Sequence, residues 1–161
     1  MPEPTRKMSR VEPGASGSIL DVTSVDGCRI RTWVQRSGPP LCVCIHGAAE
    51  GRYVWSEVLS RMPGISSATI DLRGHGDSDW DPRSIYRLAT HADDVSRVIS
   101  ALGAVDVQLI GHSLGAAVAM QLASVDRRVR KLVIVDFGPG MIPEGVGGGE
   151  RAVSSAFENL R

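Results

Sequence analysis

The chain has 161 residues, 42% of them apolar and 22% charged, a composition that supports one globular domain with a real core. Its 18 basic and 18 acidic side chains balance, which argues against nucleic acid or an anionic membrane as partner and favours a small, roughly neutral ligand. No apolar run approaches the ~18 residues that span a bilayer, and residues 1–17 lack a signal-peptide core; the expectation is a cytoplasmic protein with a flexible tail over 1–17.

Residues 19–25 and 28–34 read as two strands joined at Asp26-Gly27, a two-residue hairpin signal that predicts an antiparallel amino-terminal edge. From Leu41 onward the pattern changes. Short, continuous apolar runs at 41–45, 68–70, 105–110 and 132–135 alternate with helical stretches, as in a parallel sheet buried on both faces. Trp55, Val58, Leu59 and Met62 share one helical face. Leu88, Ala92, Val95, Ile99 and Leu102 form a second, with Arg87, His91, Asp94 and Arg97 on its polar side, and Leu114, Val118, Leu122 and Val125 form a third. The predicted core covers 18–139, followed over 140–161 by a loop and the start of a cap helix. Cys42 and Cys44 fall on one face of a strand and, with Cys28, read as reduced packing thiols; no metal site or cofactor is expected.

Gly111-His112-Ser113-Leu114-Gly115 lies directly between an apolar strand and a helix, the context of a nucleophile elbow. There a serine hydroxyl stands above the sheet edge, and the following helix turns N–H groups and its positive end toward developing negative charge. Ligand sites in open parallel sheets lie at the carboxyl ends of the strands, so the residues closing each run are the other candidates. His46-Gly47-Ala48 closes one, and the Ala48 and Leu114 amides are the expected oxyanion donors. Asp71 to Asp79 closes another; its charges fit a loop in which Asp71 and Arg73 satisfy each other or local backbone, with Arg73 as the candidate for meeting a substrate carboxylate. His46, Gly47, Arg73 and His112 are the expected site-lining residues.

These segments, with Asp93-Asp94-Val95 and the run ending at Asp136, resemble in this order the α/β-hydrolase superfamily, specifically its compact esterase, lactonase and C–C hydrolase branch. The resemblance runs from about Ile19 to Pro139. It implies that Ser113 is a nucleophile, because members acting on epoxides or haloalkanes carry Asp at the elbow, whereas Ser forms an acyl-enzyme from an ester, thioester, lactone or activated C–C bond. It also offers Asp136 as a triad acid after the sixth strand.

A serine nucleophile needs a histidine base, which in this fold follows it in sequence. All four histidines, His46, His75, His91 and His112, precede Ser113. The resemblance implies eight strands, and a β-α-β crossover takes roughly 30 residues, so the expectation is a hydrolase cut after about its sixth strand and inactive alone. A noncatalytic binding module, or half of a split enzyme completed by another chain, are the alternatives; self-association is a further expectation, through the uncovered sheet edge.

Overall fold

The computed structural model describes residues 17–35 and 38–138. The tail expected over 1–17, Gly17 apart, and the loop and cap-helix start expected over 140–161 lie outside the described residues. Six strands form one sheet: β1 (Ser18–Thr23), β2 (Arg29–Gln35), β3 (Leu41–Ile45), β4 (Ser66–Ile70), β5 (Val107–His112) and β6 (Val129–Val135), in the spatial order β1-β2-β4-β3-β5-β6. β2 pairs antiparallel with both β1 and β4, while β3 pairs parallel with β4 and β5, and β5 with β6. The antiparallel amino-terminal edge and the parallel centre therefore stand as predicted.

The parity of β3 sorts the core. Val43 and Ile45 face helices α2 (Leu88–Ala101) and α3 (Leu114–Ala123) together with Ile70, Leu109, Val95 and Leu122. Cys42 and Cys44 point the other way, onto Trp55 and Leu59 from a 3₁₀ turn (Arg52–Trp55) and the short helix α1 (Ser56–Ser60). All five residues of β3 and of β4 are buried, which explains why their sequences do not alternate. No helix among the described residues is long and apolar enough to cross a membrane.

Several elements differ from the sequence expectation. The hairpin turn is longer than two residues: Ser24 N–H bonds the Cys28 carbonyl at 2.8 Å, Gly27 N–H bonds the Ser24 carbonyl at 3.1 Å, and Gly27 takes φ +89° to close it. Of the first predicted helical face, Trp55 and Leu59 are buried, whereas Val58 and Met62 are exposed because α1 is a turn and a half long. α3 stops at Ala123, which leaves Val125 in solvent, and β5 begins at Val107, two residues later than expected. β6 alternates exposed and half-buried residues along most of its length, as an edge strand does.

The largest correction concerns charge. His91 and Asp94, expected on the solvent side of α2, are buried, and so is Arg73. The Arg73 guanidinium grips Asp94 bidentately, Nε and one Nη each at 2.7 Å, and its other Nη reaches Asp26 and Asp81 at 2.8 Å each. It thus ties the β1–β2 turn, the loop after β4 and α2 into one cluster. Asp26, Cys28 and Asp81, a trio of metal-ligand type, lie around this cation. Asp71 does not pair with Arg73; it takes the Arg52 side chain and, at 2.7 Å, the Arg52 N–H. Arg73 is sealed from any substrate carboxylate, and the site-lining expectation for it is withdrawn.

Removing one partner from a buried ion cluster strands the others, so Arg73→Met should cost about 3–5 kcal/mol in urea unfolding. Burial, reinforced by Arg73, pushes the His91 imidazole down to about 4. A histidine depressed in the fold takes a proton first in the unfolded chain, so its effect on stability is nil above pH 6.5 and turns destabilising as pH falls toward 4. The unfolding free energy should fall over that window, with His91 contributing on the order of 3 kcal/mol, and His91→Leu should flatten the fall.

Candidate active site

Ser113 sits between the last residue of β5 and the first of α3, with φ +50° and ψ −114°, a left-handed conformation that a non-glycine residue holds only under constraint. The constraint is visible on either side. A β-carbon on Gly111 would lie 2.4 Å from the Gly115 carbonyl oxygen, and one on Gly115 would lie 2.2 Å from that of Ile45 and 2.6 Å from that of His46. The start of α3 is therefore pressed against the carboxyl end of β3. Ser113 N–H bonds the Val135 carbonyl at 2.9 Å, which pins the turn to β6 as well.

This approach brings the 46–50 loop beside the elbow. Ala48 is exposed, and Gly47 is buried so close to His112 that a β-carbon there would come within 2.9 Å of Nδ1. Neither the Ala48 amide nor the Leu114 amide donates to a group among the described residues. Glu50, to which the sequence reading assigned no role, joins the two segments. One carboxylate oxygen accepts the Gly47 N–H at 2.7 Å and meets His112 Nδ1 at 2.9 Å. Burial alone would raise the Glu50 carboxyl, but these two contacts hold it below its ordinary range. The signal for it was an acid three residues beyond Gly47, across a turn closed by Glu50 N–H on the Gly47 carbonyl.

The histidines fall into distinct places. His46 is fully buried and does not line the site as expected: its Nε2 accepts the Leu72 N–H at 3.0 Å, so Nδ1 carries the proton and donates to the Gly47 carbonyl at 2.7 Å. Burial holds it below its ordinary value. His75 contacts the Arg73 carbonyl through Nδ1 at 3.0 Å and packs on His46, ring centroids 5.1 Å apart. His112 lies between Glu50 and Asp136, whose carboxylate is 3.9 Å from Nε2. Asp136 is exposed and has φ +51° at the end of β6. None of the four imidazoles is hydrogen-bonded to the Ser113 hydroxyl.

A family model for the alpha/beta hydrolase fold matches residues 40–146. The chain belongs to the α/β-hydrolase family. It is 36% identical over 123 residues to a soluble epoxide hydrolase of Corynebacterium sp., covering 75% of this chain and 42% of that protein. It is 32% identical over 143 residues to a 2-(acetamidomethylene)succinate hydrolase of Mesorhizobium japonicum, covering 85% and 51%. The solved epoxide hydrolase CorEH superposes with a TM-score of 0.72 at 32% identity, covering 81% of this chain and 46% of that one. The chain thus spans about half, or less, of each of these relatives.

Because the atom facing a Gly115 β-carbon is backbone, no side-chain rotation relieves the clash. Gly115→Ala should destabilise the fold by about 3 kcal/mol or more, whereas Ala117→Gly, two residues on, should cost only about 1 kcal/mol of helix propensity. Urea midpoints of the two variants check the contrast.

Proposed function

We propose that this α/β-hydrolase acts by acyl transfer through Ser113. The observation that carries the reading is the φ +50° serine at the carboxyl end of the sheet, directly before α3. A hydroxyl there, rather than the carboxylate that the resemblance leads one to expect in members acting on epoxides, favours an ester, thioester, lactone or activated C–C bond. Attack on the carbonyl places negative charge on its oxygen. The amides of Ala48 and Leu114, which donate to no group among the described residues, and the amino end of α3 are the donors proposed to meet it.

The proton of Ser113 needs an acceptor. His46 has both ring nitrogens engaged, His91 is buried against Arg73, His75 is packed on His46, and the His112 Nδ1 is engaged by Glu50. In this reading the base comes from outside these four residues, on a longer polypeptide or a second chain, and Asp136 is the carboxylate available to orient it. The reacting ester is the partner that this reading requires.

Fluorophosphonate labelling and aryl-ester turnover test this. The chain alone should label slowly, with little difference for Ser113→Ala. A polypeptide that also brings in a downstream histidine should label fast and lose that labelling in Ser113→Ala, by about 10³-fold or more in rate. Labelling of the completed protein that ignores Ser113 would overturn the nucleophile assignment; fast Ser113-dependent labelling of the chain alone would overturn the external base.

A further inference from the structure

A cleft of about 500 Å³ opens between the loops that follow β3 and β4, with Glu50, His75, Trp80 and Tyr86 among the residues lining it. Trp80 is 73% exposed, more than any other Trp, Tyr or Phe among the described residues. Tyr86 is held in place. Its ring lies against Gly74, where a β-carbon would come within 2.7 Å, and its hydroxyl accepts the Asp81 N–H at 3.1 Å. Glu50 uses one carboxylate oxygen for Gly47 and His112, and the other has no partner among the described residues.

Among the described residues no lysine or arginine lines the cleft, and Glu50 is the one carboxylate there. That composition discriminates among ligands. An anion would meet the Glu50 carboxylate with no lysine or arginine among the described lining residues to offset it. A hard metal ion needs several oxygen ligands and finds a single carboxylate. A purely apolar group would leave the free Glu50 oxygen desolvated and unpaired. An organic cation suits the two aromatic residues and the carboxylate together, because an aromatic ring attracts it through its quadrupole and Glu50 neutralises it. We propose that this cleft binds an alkylated ammonium group, seated on Trp80 and Tyr86 with Glu50 as its counter-ion. The site stands whether or not Ser113 acylates.

Titration of this chain with tetramethylammonium, followed through the ligand's methyl proton signal, tests the assignment against tert-butanol, a neutral group of similar shape. Binding should saturate and be on the order of tenfold tighter for the cation. Trp80→Ala, a change at an exposed position, should abolish it. Glu50→Gln should weaken it on the order of tenfold, and high salt should weaken it too. Ser113→Ala should keep the full affinity, so the cation site and the acyl-transfer reading fail separately. Equal binding of tert-butanol, absence of saturation, or undiminished binding by a folded Trp80→Ala protein would overturn the proposal.

Discussion

Two stretches of backbone meet at the elbow because no β-carbon stands at position 111 or 115. The Ile45 and His46 carbonyls occupy the space that a side chain on Gly115 would need, and the Gly115 carbonyl occupies that of Gly111. This contact sets the rest of the edge. It forces the chain to reverse over a single residue, which puts Ser113 at positive φ, and it brings the loop containing Gly47 and Ala48 alongside the first turn of α3.

Around that contact the loops are held by ions rather than by apolar packing. Arg52 binds Asp71 beneath the loop that follows β4, and Arg73 binds three aspartates drawn from the hairpin turn, the same loop and α2. Ser78 adds a polar stitch, donating to the Asp71 carbonyl at 2.6 Å and accepting the Arg31 N–H at 2.8 Å. Buried charges of this kind add little net stability against an apolar alternative, but they penalise any arrangement that separates the partners. The consequence is a rigid floor beneath the cleft at Trp80 and Tyr86. Glu50 extends the same logic to the elbow, joining the Gly47 amide and the His112 ring through one oxygen.

The sheet was legible because continuous apolar runs and the glycine-flanked Ser113 are local signals. The strands, their antiparallel edge and the elbow follow from residues within ten positions of one another. Arg73 and Asp94 were not legible. Spacing assigned Asp94 and His91 to the wet side of α2, since periodicity reports polarity and not where a neutralising partner will arrive; the partner of Asp94 is 21 residues away in sequence. His46 misled for the same reason: a histidine at a strand's carboxyl end reads as site-lining, and only the Leu72 N–H, brought by β4, makes it a buried structural bridge. Helix ends erred by a few residues because Val58, Met62 and Val125 kept the apolar pattern going past the point where the sheet offers anything to pack on.

The placement of the three thiols gives the fold a built-in record of its own opening. Cys28 closes the hairpin turn beside Arg73, while Cys42 and Cys44 lie in β3, between β4 and β5, with their sulfurs 3.9 Å apart beneath Trp55. All three are buried and free. A thiol reagent can reach Cys28 when the amino-terminal hairpin peels away, but it reaches Cys42 and Cys44 when the 3₁₀ turn and α1 lift from the sheet face they cover. The two alkylation rates therefore separate fraying of one edge from uncovering of the sheet face beneath Trp55, within a single chain and without an added label.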